Sequence, residues 1–316
     1  MKKIIIIGSA TQDIFLRIAP ETIKQQTITN TPAIAFEEGA KINIQSLHHA
    51  LGGGAINAAA TLKLLEYDVY PVCKIADDAA GTFILDQLHT KNIATDYIIK
   101  NAPQPTALSF ILPAPSGNRV ILAYRGANST ITAEDIPFKL FPTSDALYVM
   151  PFSSAPELLM NILQQARAAQ LYIAINPGKK QLQQKEFVQA LEYVDLFLTN
   201  ESEAQTSAKT LGFPSFSVEN YAQEMLKKGP KIVVVTRGAL GVFIATKEKT
   251  YTLPAPTVPI KNSVGAGDAF GACFFGMILH GKSIEEAAAA GLRNSAAILQ
   301  GNDAQDGLLS LEELKA

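Results

Sequence analysis

Four consecutive isoleucines, Ile4 to Ile7, follow two lysines and end at Gly8. A run that is apolar at every position and closed by glycine predicts a strand buried on both faces, as in a parallel sheet. Residues 14–50 keep no steady period and are expected to be irregular, with short extended pieces at 33–36 and 41–47. An Ala- and Leu-rich stretch predicts a helix over 55–65, followed by a strand at 69–75 and a helix after Asp78. Residues 106–113 and 118–125 read as two strands joined by the turn 115–118, the pattern of a hairpin. From about residue 145 the rhythm changes. Strands at 146–150, 171–176, 194–199 and 231–236 alternate with helices at 155–169, 201–211 and 218–228. Such alternation implies a parallel sheet covered by helices on both faces. Two short strands at 240–246 and 249–253 precede two final helices separated by Gly281. A single α/β domain over 1–316, carrying a small β lid from segments about 15–50 and 105–127, accounts for the whole pattern.

Composition narrows the function classes. Of 316 residues 47% are hydrophobic and 18% charged, enough for a sizeable core and against wholesale disorder. The 27 basic and 29 acidic residues give a net charge of −2 with no basic run, so no nucleic-acid partner is expected. No stretch reaches the roughly 18 apolar residues of a membrane span, and the N-terminal run meets Gln12 and Asp13 too early for an export signal. Cys73 and Cys273 are far apart in apolar stretches, and the four histidines lack metal-ligand spacing. A reducing, cytoplasmic setting is the expectation.

The chemistry concentrates at Asn262-Ser263-Val264-Gly265-Ala266-Gly267-Asp268, which opens an apolar helix expected over 269–279. Glycines ahead of a helix let unpaired backbone N–H groups converge, and the helix dipole favours an anion there. A phosphoryl group in flight spreads negative charge over its oxygens and suits such a nest. Asp268 stands beside it, able to take a proton from an attacking hydroxyl, although aspartate is equally favoured there as a simple helix cap. Two look-alikes overlap this region. Residues 276–283 match G-x-x-x-x-G-K-[ST], but the intervening residues continue a helix, and Ser283 with Glu286 reads better as a capping box. Residues 265–271 loosely imitate a dinucleotide fingerprint without the second strand it needs.

At this point the chain resembles the ribokinase-like (phosphofructokinase-B type) carbohydrate kinases over essentially its whole length. Two signatures carry the resemblance in order: Gly52-Gly53-Gly54-Ala55-Ile56-Asn57 leading into a helix, and Gly265-Ala266-Gly267-Asp268-Ala269-Phe270. The resemblance implies a three-layer α/β domain with a mostly parallel central sheet and a small β-sheet lid. It implies Asp268 as catalytic base and Gly265, Ala266 and Gly267 as anion hole. Asp13, Gly52, Gly53 and Asn57 match the substrate side of the family. Asn200 and Glu203 match its N-x-x-E motif, with Glu203 organising Mg²⁺ through water; the same pair also reads as a helix cap. Thr236, Gly238 and Gly241 match its nucleotide loop, or form a permissive hairpin turn. Asn294 falls where the family lines its adenine pocket, or on a solvated helix face.

Departures from the family pattern are equally specific. Asn262-Ser263 stands where the family has Asp-Thr, which puts activation by a monovalent cation in doubt. No glutamate matches the one ribokinase uses on its sugar, since Met150-Pro151-Phe152-Ser153 lies there. Tyr124-Arg125, at the end of a lid strand, is no departure. It resembles family members acting on acidic sugars and so implies an Arg125 fork on a carboxylate, with a surface arginine or a partner for ATP phosphates as the alternatives. The reading is therefore an ATP- and Mg²⁺-dependent kinase acting on a hydroxyl of a sugar or sugar derivative, with a homodimer through the lid as a further expectation. A nucleoside kinase and a non-catalytic sugar-binding protein of the same fold are the alternatives, and a dinucleotide-dependent dehydrogenase is a remote one.

Overall fold

A computed structural model describes residues 1–19, 22–28, 31–114, 119–152 and 156–315. In chain order the strands are β1 (Lys3–Ile7), β2 (Thr11–Ile18), β3 (Lys24–Ile28), β4 (Thr31–Ala35) and β5 (Ile44–Gly52). They continue with β6 (Asp68–Lys74), β7 (Ile98–Ile99), β8 (Leu108–Pro113), β9 (Arg119–Tyr124) and β10 (Ala146–Val149). The last are β11 (Tyr172–Ile175), β12 (Leu196–Asn200), β13 (Ile232–Thr236), β14 (Val242–Thr246) and β15 (Thr250–Leu253). The helices are α1 (Gly54–Leu64), α2 (Ala79–Thr90), α3 (Pro156–Ala168), α4 (Lys179–Leu182) and α5 (Phe187–Ala190). After them come α6 (Glu201–Thr210), α7 (Val218–Leu226), α8 (Ala266–Leu279), α9 (Ile284–Leu299) and α10 (Leu311–Lys315).

Among the described residues, nine strands form one sheet in the order β15-β14-β13-β12-β11-β10-β1-β6-β7. It is parallel except where β14 and β15 turn back at one edge. The isoleucine run shows why the sheet needs cover on both sides. Ile4 and Ile6 point into the core built with α1, α8 and α9, while Ile5 and Ile7 point into the core built with α3, α6 and α7. All four are fully buried, each worth about 1.5–3 kcal/mol relative to exposure. That burial fixes β1 as an interior strand of the middle layer of a three-layer domain.

A second, four-stranded sheet runs β5-β2-β8-β9, with β2 pairing β5 antiparallel and β8 parallel. Residues 14–50, expected to be irregular, are thus mostly strand. Their pattern hides it because most of β5 is exposed, so no apolar face of period two has to be kept along it. The pairing of β2 with β8 also spans nearly a hundred residues of chain. A separate two-stranded hairpin, β3-β4, stands beside it. The expected hairpin of β8 and β9 is present; its turn, 115–118, lies outside the described residues.

Two boundaries matter for the site. Helix α8 starts at Ala266, three residues before its expected start, so Asp268 lies inside the first turn and Gly265 takes the cap position. Gly281 separates α8 from α9, and Ser283 and Glu286 form the expected capping box. The phosphate-loop look-alike is therefore a helix end followed by a helix start.

Candidate active site

The chemistry gathers at the carboxyl-terminal edge of the parallel strands, where ligands of open α/β sheets bind. The β1–β2 connection, Asn200 at the end of β12, the turn after β13 and the mouth of α8 all arrive there. Gly265 adopts φ 82°, a left-handed conformation that strains other residues. A Cβ at Gly265 would stand 2.5 Å from Cβ of Ala304, so the mouth is shaped by glycine on one side and by the 302–306 segment on the other. Ahead of α8 the first-turn amides have no carbonyl behind them. Ala266 and Gly267 border a cavity of about 450 Å³, so this nest opens onto solvent space large enough for a phosphate-bearing ligand.

Asp268 is held from the opposite side. Asn57 of α1 donates from Nδ2 to Asp268 Oδ2 at 2.8 Å, and Gln305 donates from Nε2 to Asn57 Oδ1 at 3.2 Å. Burial raises the Asp268 carboxyl to about 6, and the Asn57 hydrogen bond acts against that rise. Such a value suits a group that must take up a proton near neutral pH. The alternative of Asp268 as a helix cap fails on position, since the cap is Gly265.

Asp13 meets this group from the smaller sheet. It lies on β2, in register with Ala50 on β5 and Ser109 on β8, and is 5% exposed. Burial lifts its carboxyl to about 6; the Ser109 side chain opposes this, and the negative charges of Asp268 and Asp303 add to it. Gly52 is required beside it, because a Cβ there would lie 2.1 Å from Asp13 Oδ2. Gly53 turns the chain into α1, whose first amides are met by the Ser9 hydroxyl and carbonyl. Asp13, Gly52, Gly53, Asn57 and Asp268 are thus brought together, a buried carboxyl, a half-buried one and a buried amide that present acceptors and donors to a polyol.

The nucleotide-loop residues also converge. Thr236, Gly238 and Gly241 line the same 450 Å³ cavity as Ala266 and Gly267. Asn200 and Glu203 form a reciprocal cap, Asn200 N donating to Glu203 Oε2 and Glu203 N to Asn200 Oδ1, each at 2.9 Å. Burial raises the Glu203 carboxyl, opposed by Asn200 and Lys179 and reinforced by Asp268. Among the described residues no cluster of three or more acidic, histidine or cysteine side chains could cage a metal by itself. Glu203, with one carboxylate oxygen outside the cap, fits Mg²⁺ only as the ion is usually held by nucleotide enzymes, through water and substrate phosphates.

Two expected residues stand elsewhere. Asn294 is fully buried, donating from Nδ2 to the Ala269 carbonyl at 3.0 Å and accepting the Leu309 N–H at 2.9 Å. Both ends of its amide are spent on packing, and the solvated-face alternative fails as well. Its neighbours Leu292, Ser295 and Ala296 line the cavity instead. Arg125 is exposed at the end of β9 and borders neither cavity beside the helix mouth. Arg119, at the other end of β9, reaches across to the Ser263 hydroxyl and lines both cavities.

Sequence reasoning also missed Ser109, Asp303 and Gln305, because only the fold carries them to the site. Only Ser109 carried a local signal, a polar residue amid the apolar stretch 107–113; Asp303 and Gln305 sit in the polar run 301–307, where nothing local singles them out. Asn262 uses its Oδ1 to accept the Val264 N–H at 3.0 Å, shaping the turn into α8. Met150, where the sugar-binding glutamate was missing, is buried against Gly8 and Gly54.

Comparison with known proteins adds a family. A model described as pfkB family carbohydrate kinase matches residues 2–310. A ribokinase from Staphylococcus aureus is 27% identical over 315 residues, 99% of this chain and 98% of its own length. An ATP-dependent ribose-1-phosphate kinase from Halopiger xanaduensis is 24% identical over 251 residues, 79% of this chain and 81% of its own. Among solved structures, a ribokinase from Thermotoga maritima superposes with a TM-score of 0.82 at 22% identity, covering 100% of this chain and 98% of that one. A nucleoside kinase from Methanocaldococcus jannaschii gives 0.78 at 18% identity, covering 100% and 97%. Both share the fold.

Proposed function

Because the chain belongs to the pfkB family of carbohydrate kinases, we propose that it transfers the γ-phosphoryl group of ATP to a hydroxyl of a sugar or sugar derivative. One observation carries the reading. Asp268 sits between two things a kinase needs, a nest of helix-mouth amides facing a cavity and a buried carboxyl-amide pair suited to hydroxyls. In the proposed reaction Asp268 takes the hydroxyl proton as the oxygen forms its bond to the γ-phosphorus. The bond to the β–γ bridging oxygen breaks, ADP leaves with that electron pair, and the amides of residues 265–267 hold the charge on the transferring group. Asp13 accepts from a neighbouring hydroxyl and fixes which one faces Asp268. Thr236, Gly238 and Gly241 bed the nucleotide. Mg²⁺, when bound, neutralises phosphate charge beside Glu203.

The smaller sheet acts in this reading as a lid that excludes water from the transferring phosphoryl group. Arg119 supports this, since it runs from that sheet to Ser263 at the helix mouth. A cytoplasmic setting fits the two unbridged, buried cysteines; among the described residues no helix is long and apolar enough to cross a membrane.

The test is a screen of neutral sugars, sugar acids, sugar phosphates and nucleosides by coupled ADP release. Turnover with a free or phosphorylated sugar supports the reading. Turnover confined to nucleosides moves the enzyme to nucleoside kinases, and ADP release that no hydroxyl compound accelerates rejects phosphoryl transfer to an alcohol.

A further inference from the structure

Resting on the reading above, we propose that Gln305 is a positioning residue for the base, holding the Asn57 amide in the one orientation that donates to Asp268. An asparagine amide has a donor end and an acceptor end of nearly the same shape, so nothing in its bulk tells it which end to present. Against a carboxylate only the NH₂ end is favourable; turned over, Asn57 would press its carbonyl oxygen onto Asp268. Gln305 reinforces that choice from the far side, while its own Oε1 meets no hydrogen-bond partner among the described residues. Its Nε2 donates to Asn57 Oδ1 at 3.2 Å, so a turned Asn57 would lose the bond to Asp268 and set its NH₂ against another NH₂. Both side chains are nearly fully buried, Asn57 5% and Gln305 8% exposed, where a lost pairing is not replaced by water.

The backbone around Gln305 is itself fixed. Its N–H donates to Asp303 Oδ1 at 2.8 Å, and the other oxygen of Asp303 meets His48 Nε2 of β5 at 2.9 Å. Ala304, between them, packs on Gly265 at the mouth of α8. The segment therefore touches the nest, the amide behind the base and the smaller sheet at once. The groups facing Asp268 from the surrounding elements are Asp13 of β2, Glu203 of α6 and Tyr148 of β10. Two are acidic and the third is a neutral phenol, and neither acidic group stabilises the charge of the carboxylate. The Asn57 hydrogen bond does, and Gln305 secures it.

The test compares pH profiles of kcat/KM for the wild type, Gln305→Met and Gln305→Glu. Methionine keeps the volume and removes the donor; glutamate keeps the shape and draws the Asn57 NH₂ toward itself. The acid limb is expected to move up in both, further in the glutamate variant. At about pH 6 the methionine variant then loses roughly tenfold, while at about pH 8 it stays within about twofold of wild type. Should the methionine variant fail to fold, the isosteric glutamate variant carries the same comparison. An acid limb unmoved in either folded variant, or a loss equal at all pH, overturns the proposal, since a purely structural role lowers the rate without moving the limb. Asp268→Asn alongside separates the two failures. If it abolishes turnover while the Gln305 limbs stay put, only the role of Gln305 falls; if it retains turnover, the base assignment itself falls.

Discussion

Asp13 shows at a single residue how the site trades stability for chemistry. Its ordinary carboxyl value is 3.8, and burial lifts it to about 6 in the folded protein. Between those values the folded chain binds a proton that the unfolded chain has lost, so stability falls as pH rises through that window and stays lowered above it. Asp13→Asn should therefore raise stability by about 1–2 kcal/mol at neutral pH, a gain that fades as the pH falls toward 4, while affinity for the acceptor drops. Thermal melts over a pH series, paired with acceptor KM, check both halves; a variant no more stable than wild type at neutral pH refutes the burial account. The same logic sets the activity profile. Asp268 must be ionised to accept a proton, so kcat/KM should decline as pH falls through about 6. Single residues were legible where a glycine signature flanked them, as with Asp268 and Asn57. Gln305, Asp303 and Ser109 were not, because their roles come from register and from a loop folding back onto α8. Asn294 misled for the opposite reason: a polar residue on an apolar helix looks like a ligand contact until its two backbone partners are seen.

The mouth of α8 carries the argument at the scale of elements. Gly265 and Gly267 are two residues apart, yet they should answer substitution differently. Alanine at Gly265 must hold φ 82° and crowd Ala304 at 2.5 Å. Gly265→Ala is expected to lower the melting temperature and to cost about 10–100-fold in kcat by disturbing the nest. Alanine at Gly267 meets no atom within 4 Å but projects into the cavity that Gly267 lines, the one proposed to take the nucleotide. Gly267→Ala should melt like wild type and raise the KM for ATP. Calorimetry and steady-state kinetics on the pair decide; equal melting temperatures for the two variants contradict the packing account. Elements of the larger sheet were legible because burial on both faces leaves unbroken apolar runs such as Ile4–Ile7. Those of the smaller sheet were not, since exposed β5 keeps no clean alternation and β2 finds its partner β8 across most of the first hundred residues.

The whole molecule presents one surface that a lone chain leaves uncovered. On the face of the smaller sheet opposite Asp13, Phe110 is in register with Leu122 and Leu16 with Leu47, and Leu47 and Leu122 are 54% and 58% exposed. A patch of this kind invites association, and a homodimer through the lid is the arrangement proposed for it. Sedimentation at micromolar concentration should find a dimer that Leu122→Asp converts to monomer; a monomeric wild type refutes it. The proposed transfer itself rests on one carboxylate beside one amide nest. The direct measurement is single-turnover phosphoryl transfer from ATP to the best acceptor by wild type and Asp268→Asn at saturating substrates. The expected result is a loss of about 10²–10⁴-fold in the transfer rate with ATP binding within a few-fold of wild type. Transfer at an undiminished rate in Asp268→Asn would contradict the account.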